Sequence, residues 1–218
     1  DEQQRRCMVW DIERGRSNRI EPLPWQTDTC LGNWHYDRKI YDRHRYKTAA
    51  TVIHTLVDVV SKNGNLLLSV PVRGDGTIDD QELAIIQGIT AWMDVNKECI
   101  FGTRPWKIFG EGPASAGAPL KDQGFNEDQG VPFSAADIRF TTKGDVLYAI
   151  TLGQPASTVV ITALGASPRH FGQPIKALHL LGCPGSLQWS QTGNAVTISL
   201  PKTIAPTPAA VFEIVFGS

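Results

Sequence analysis

Apolar and polar positions follow different rhythms along these 218 residues, and the change of rhythm divides the chain. Between Tyr46 and Lys62, the residues Ala49, Val52, Ile53, Leu56, Val57 and Val60 recur at helical spacing, which predicts an amphipathic helix. Asn63-Gly64 follows and supplies the φ > 0 position that commonly ends a helix. Leu66 to Val70 is nearly all apolar, the pattern of a parallel strand buried on both faces. Pro71 closes that run, and Arg73-Gly74-Asp75-Gly76 makes a turn. Asp79 and Glu82 then stand at capping-box spacing. Beyond them Leu83, Ile86, Ile89 and Met93, flanked by Ile85 and Trp92, predict the apolar face of a second helix. Helix, buried strand, loop, helix is the repeating unit of an α/β barrel or a doubly wound sheet.

Upstream, Cys7 to Glu13 is an apolar run that ends in carboxylates. Read as a strand, it puts Val9, Asp11 and Glu13 on one face and Met8, Trp10 and Ile12 on the other. Arg14 to Asn18 turns the chain into a βα-type loop. Carboxylates at the C-terminal end of a barrel strand stand where active sites form. Trp25 to Tyr36 reads as a loop-like stretch holding three aromatic residues.

After Trp106 the helical rhythm disappears and proline becomes frequent. Gly110 to Val131, rich in Gly, Ala and Pro, reads as a linker or long surface loop. Ile138–Thr142 and Val146–Leu152 flank a Lys143-Gly144-Asp145 turn and predict a hairpin. Thr158–Leu164, Ala177–Leu181, Leu187–Gln191, Val196–Leu200 and Val211–Phe216 continue the series. Short strands at this spacing suggest an antiparallel sandwich. The expected fold class is therefore α/β plus all-β: a partial (β/α) barrel over residues 1–106, then a β-sandwich over 107–218.

Composition narrows the function classes. Apolar content of 41% and charged content of 20% suit a globular chain, and a net charge of −1 offers no field for nucleic acid or anionic membrane. No apolar run is long enough to span a bilayer, and no signal peptide is visible at Asp1–Arg6. The cysteines (Cys7, Cys30, Cys99, Cys183) form no C-x-x-C and read as buried free thiols. The histidines (His35, His44, His54, His170, His179) lack metal-ligand spacing, and His54, beside the apolar face of its helix, reads as structural. No metal or other cofactor is expected. Asp75-Gly76-Thr77-Ile78 followed by Glu82 mimics half of an EF-hand loop. However, Pro71 and Arg73 occupy its first two carboxylate positions, which rules out calcium. No G-x-x-x-x-G-K-[ST] or G-x-G-x-x-G is present either.

The run SKNGNLLLSV (61–70), the turn DGTI (75–78) and WMDVNKECIFGTRPW (92–106) resemble the α-L-fucosidase family of retaining glycoside hydrolases. In that family a "vSKxGNLLLNV" run leads into the last barrel strand, and "W(M/L)xVNGEAIYGTRPW" follows on a helix. Lys97 and Cys99 stand where Gly and Ala are usual. Trp10 to Tyr36 resembles "WD(I/V)ERG…PLPWQTDTC(I/L)G(N/D)WHY" of several fucosidases. DIRFTTKGDVLYAI (137–150) and LLGCPGSLQW (180–189) extend the resemblance into the β region.

This resemblance implies a fucosylated glycan as substrate, with no nucleic acid and no membrane partner, and a secreted, periplasmic or lysosomal setting. It maps the catalytic acid/base to Glu13, with Asp11 and Glu21 as competitors and a surface salt bridge as the plain alternative. It maps the aromatic residue against the fucose methyl to Trp34, for which an ordinary core role is the alternative; Trp25 and Tyr36 are assigned to packing. The family's nucleophile and fucose-binding histidines stand earlier in the barrel than these residues. The chain is thus expected to be the C-terminal part of the enzyme, inactive alone and requiring the N-terminal barrel half. A non-catalytic carbohydrate-binding or interaction module is the alternative reading.

Overall fold

The computed structural model describes residues 2–117, 119–121, 124–167, 173–202 and 204–217. His170 lies outside them. After a short helix α1 (Glu2–Cys7), three parallel strands form one sheet in the order β1 (Trp10–Asp11), β2 (Trp25–Cys30), β3 (Gly64–Ser69). Their register pairs Trp10 with Trp25 and Trp25 with Gly64. Helices α2 (Arg38–Asp42), α3 (Ala49–Ser61) and α4 (Asp80–Asn96) follow in the connections.

Parallel pairing needs crossovers, and α3 is the crossover from β2 to β3. The Thr48 side chain caps α3 by accepting from Thr51 N. Asp79 caps α4 in the same way, Oδ1 accepting from Glu82 N at 2.7 Å. Glu82 does not complete the expected capping box, because neither of its buried carboxylate oxygens has a hydrogen-bond partner among the described residues. The α4 face that packs also differs from the pattern. Trp92 and Asn96 are buried with Ile89 against them, while Leu83 is 45% exposed.

Two expectations for the strands are corrected. Cys7 to Glu13 is not one strand. Cys7 ends α1, Met8 and Val9 are exposed, and ladder pairing begins at Trp10. It continues past Asp11, since Ile12 N donates to Gln26 O and Arg14 N to Asp28 O, both at 3.0 Å. The run at Leu66–Val70 is β3, but it is not buried on both faces. Gly64 packs against Trp25, and the opposite face leaves Leu67 58% exposed.

The antiparallel region holds two sheets. Five strands lie in the order β4 (Arg104–Glu111), β5 (Ile138–Lys143), β6 (Val146–Thr151), β11 (Val211–Phe216), β8 (Ile175–Leu180). Three more lie in the order β7 (Thr158–Ile161), β10 (Val196–Ser199), β9 (Gln188–Gln191). The expected division at Trp106 falls inside β4. Alternation in the larger sheet feeds two cores at once. Phe140, Leu147, Ala149, Phe212 and Ile214 face the smaller sheet, which contributes Ile161, Val196 and Ile198. Tyr148, Ile150 and Val211 face the helices and meet Ile53, Val57 and Trp92. A helix layer is therefore packed between the parallel sheet and the antiparallel pair.

The junction carries charge as well as apolar surface. Asp58 of α3 is fully buried, accepting from Arg139 Nε of β5 and from Lys62 Nζ, each at 2.7 Å. Burial opposes the Asp58 charge, but Lys62 and Arg139 outweigh it and hold the carboxyl below its ordinary value. For Lys62 burial wins, and its ammonium is pulled down to about 8 in spite of Asp58. Phe109 lies 4.7 Å from Lys62 Nζ and 5.4 Å from the Arg139 guanidinium, so an aromatic face meets both cations.

Candidate active site

The β1 and β2 strands deliver their loops to the same edge. Glu13 follows β1, and Trp34 follows β2. In register, Trp10, Ile12, Trp25, Thr27 and Thr29 share the face turned to α3, where the Trp10 and Trp25 rings stand 6.3 Å apart. Asp11, Glu13, Gln26 and Asp28 fall on the other face by alternation. Asp11 and Glu13 are exposed there, while Ile12 is buried. Glu13 thus lies exposed in the turn just past the C-terminal end of β1.

Glu21, the second acidic competitor, is elsewhere. It precedes β2, its N–H donates to Lys62 O at 3.1 Å, and its carbonyl accepts from Asn63 Nδ2 at 3.0 Å. Those partners flank the start of β3, so Glu21 sits at the N-terminal end of the sheet. Its buried carboxylate accepts from Ser17 Oγ at 2.7 Å and Arg19 Nε at 3.2 Å. Asp11 shares the face of Glu13, two residues nearer the strand's start. Trp25 is fully buried, its Nε1 donating to Lys62 O at 2.9 Å, which is the packing role expected. The stretch beginning at Trp25 is not a loop, as its polarity suggested, because Trp25–Cys30 is the central strand. Trp34 is half-buried, and its N–H donates to Asn33 Oδ1 at 2.9 Å.

The stretch expected to be a linker or long surface loop is a loop, but it does not stay apart from the sheet. From Gly112 the chain makes a one-turn helix α5 (Pro113–Ala116) and then returns to the parallel sheet. Asn126 uses its side chain like a strand neighbour: Oδ1 accepts from Arg16 N at 2.7 Å and Nδ2 donates to Arg16 O at 3.1 Å. Phe125 N donates to Glu13 O at 2.6 Å, and Glu127 N to Arg14 O at 3.0 Å. Residues 124–127 are thus stitched to the loop that carries Glu13.

Glu127 is the residue that sequence reasoning missed. Its Oε1 receives Arg14 Nε at 2.7 Å and Nη2 at 2.6 Å, and Lys47 Nζ lies 3.4 Å away. Its Oε2 receives Thr29 Oγ1 at 2.5 Å. Burial works against the Glu127 charge, yet Thr29, Arg14 and Lys47 outweigh it and hold the carboxyl below its ordinary value. Arg14 has φ +45°, the left-handed region that non-glycine residues seldom adopt. No local signal announces Glu127, since its partners lie 80 to 113 residues away.

Other candidates resolve into structure. His54 Nε2 lies 2.7 Å from Pro208 O, and burial lowers its pKa. Asp75 Oδ1 accepts from Thr77 N at 2.9 Å and Thr77 Oγ1 at 2.7 Å, closing a turn. Cys30 and Cys99 are buried thiols as expected, Cys183 is half-buried, and Cys7 is exposed, contrary to expectation. Burial pushes the Cys30 thiol up, away from thiolate chemistry.

Comparison with known proteins bears on this geometry. A family model described as alpha-L-fucosidase matches residues 2–98, and one described as alpha-L-fucosidase C-terminal domain matches residues 132–214. The alpha-L-fucosidase of Dictyostelium discoideum is 26% identical over 206 residues, covering 91% of this chain and 38% of that protein. The alpha-L-fucosidase of Branchiostoma floridae is 25% identical over 172 residues, or 76% of this chain and 32% of that protein. A solved alpha-L-fucosidase structure superposes with TM-score 0.70 at 27% identity, over 94% of this chain and 42% of that one. The Thermotoga maritima alpha-fucosidase in complex with fucose gives 0.66 at 27% identity, over 90% and 41%. The chain spans about a third of the length of the curated relatives it matches.

Proposed function

Because this chain belongs to the α-L-fucosidase family, matching the end of its catalytic domain and its C-terminal domain, we propose that it is the C-terminal part of a retaining exo-α-L-fucosidase. In this reading β1, β2 and β3 are the closing strands of a (β/α) barrel whose earlier strands carry the nucleophile. The antiparallel sheets, divided from the barrel near residue 106, support it rather than bind sugar. The substrate is a glycan ending in α-L-fucose. The setting is secreted or lysosomal, by analogy with relatives named tissue and plasma alpha-L-fucosidase.

The observation that carries the reading is the placement of Glu13. It is an exposed carboxylate just past the C-terminal end of a parallel strand, on the sheet face that Asp11, Asn65 and Leu67 leave open. Retention requires two carboxyl groups ~5–5.5 Å apart. The nucleophile attacks C1 while Glu13 gives its proton to the departing glycosidic oxygen, leaving fucose esterified to the enzyme. Glu13, now a carboxylate, takes a proton from water as that water attacks C1, and the ester is released. Trp34, at the same edge, supplies an apolar face for the fucose methyl.

The test is a paired assay on an aryl α-L-fucoside. The full-length protein should turn it over with retained anomeric configuration, and residues 1–218 alone should not. Turnover by the isolated chain would refute the placement of the nucleophile outside it. Failure of the full-length protein to act on any α-L-fucoside would refute the activity.

A further inference from the structure

We propose that Glu127 is a positioning residue for Glu13, acting through Arg14, so that the segment beyond β4 fixes the direction in which the acid/base carboxylate enters the site. The proposal rests on the reading of Glu13 as acid/base. It concerns a residue more than a hundred positions away, outside the barrel elements.

Arg14, the residue after Glu13, is held in an uncommon backbone conformation. A left-handed φ of +45° at a non-glycine residue persists only where its surroundings over-determine it. Here they do. The Arg14 N–H is shared between Asp28 O and Asp28 Oδ1, each at 3.0 Å. The Arg14 carbonyl accepts from Glu127 N, and the guanidinium sends two N–H groups to one Glu127 oxygen. Relaxing Arg14 to the ordinary region would rotate the chain at the residue that follows Glu13. The direction of the Glu13 side chain would then change relative to the sheet edge. A catalytic acid misplaced by ~1 Å can cost ~10²-fold.

Glu127 suits this task and not that of the acid. Both oxygens are engaged, one by Arg14 and one by Thr29, and its side chain is only 9% exposed. A carboxyl held ionised by Arg14 and Lys47 has no proton to give a leaving group. It is anchored to β2 through Thr29 and to the residue before α3 cap Thr48 through Lys47. The neighbouring contacts act in the same sense. Phe125 N fixes the Glu13 carbonyl, and the Asn126 amide fixes both backbone groups of Arg16. The far side of the polypeptide therefore sets the loop on which Glu13 rides, and the C-terminal region is part of the catalytic geometry.

The test uses the full-length protein with Glu13→Ala, Glu127→Gln and the double variant, each assayed on an activated aryl fucoside and on a natural fucosyl sugar. Glu127→Gln keeps the shape and removes the charge that grips Arg14. It should lower kcat on the natural substrate by about 10- to 100-fold, lower it far less on the aryl substrate, and leave KM near its original value. Added azide should recover the smaller loss on the aryl substrate, where hydrolysis of the glycosyl-enzyme limits turnover, and not the loss on the natural one. The double variant should be no slower than Glu13→Ala alone, because the two residues act as one unit. Arg14→Lys, which retains the charge and loses the two-pronged contact, carries the same test if Glu127→Gln unfolds.

A leaving-group split in Glu13→Ala without one in Glu127→Gln or Arg14→Lys would overturn this inference and leave the Glu13 assignment standing. Additive losses in the double variant would overturn it as well. Absence of the split in Glu13→Ala itself would overturn the assignment, and the inference with it.

Discussion

Asp58 Oδ1 and Arg139 Nε meet at 2.7 Å between α3 and β5, with both side chains shielded from solvent. This pair ties the helix layer to the antiparallel sheet at the point where two apolar cores adjoin. Breaking a buried pair leaves an uncompensated charge, which costs about 3–5 kcal/mol. Arg139→Met leaves Asp58 bonded to Lys62 at 2.7 Å and should lower stability by about 1–3 kcal/mol in denaturant unfolding. Asp58→Asn should do the same or more, since it strands Arg139 and Lys62 together. Replacing Arg139, Asp58 and Lys62 jointly by apolar residues should recover much of the loss, because Lys62 is then not left buried without its carboxylate. A cost below about 1 kcal/mol for either single change, the range of exposed pairs, would show that the junction does not depend on them.

Much of the fold was legible because its signals are local. The helix expected at Tyr46–Lys62 is α3, and all the expected short strands beyond Ile138 are present as β5 to β11. What failed was legible only in three dimensions. Trp25–Cys30 did not read as a strand because Gln26, Thr27, Asp28 and Thr29 are polar. Two of these are buried because the hydroxyls of Thr27 and Thr29 find Ile12 O and Glu127 Oε2. The stretch expected to be a linker or long surface loop is a loop, but its docking on the parallel sheet was hidden for the same reason. Asn126 and Glu127 look like loop residues until Arg16 and Arg14 are placed beside them. Leu66–Val70 has the composition of a strand buried on both faces, yet one face here is open. Of the proposed site, the run of residues showed that carboxylates follow a short strand, while the contacts that hold the Glu13 loop left no trace in it.

Glu82 offers a pH test of the fold. Burial, and then the charge of Asp79, push its carboxyl up to about 7. A folded-state pKa raised above the unfolded one means that the folded chain keeps a proton which the unfolded chain releases. Stability should therefore fall as pH rises through the window from about 4.5 to about 7, and stay reduced above it. Glu82→Gln mimics the protonated form. Unfolding midpoints for the two proteins should converge near pH 4.5 and separate toward pH 8, with the variant the more stable by up to ~3 kcal/mol. Parallel curves would mean that Glu82 carries no raised pKa.

Trp34 is assigned to the fucose methyl, and its half-buried state leaves a face for contact. In the full-length enzyme Trp34→Ala should raise KM for aryl fucosides by about tenfold, the equivalent of ~1.4 kcal/mol of lost contact. Trp34→Phe should recover most of it, and thermal stability should change little. A large drop in melting temperature with unchanged KM would make Trp34 an ordinary packing residue.

If Glu13 is the acid/base, the leaving-group dependence of Glu13→Ala in the full-length enzyme must show it. A general acid contributes ~10²–10⁴-fold, and its loss matters most when the departing group is a poor one. The variant should lose that factor on a natural fucosyl sugar. On an aryl fucoside the glycosyl-enzyme should still form and then accumulate, since its hydrolysis needs the same residue as base. Azide, which needs no base, should restore turnover and yield a fucosyl azide of retained configuration. Equal, small effects on both substrates with no azide product would contradict the account. Appearance of the same rescue in Asp11→Asn instead would move the role to that neighbour.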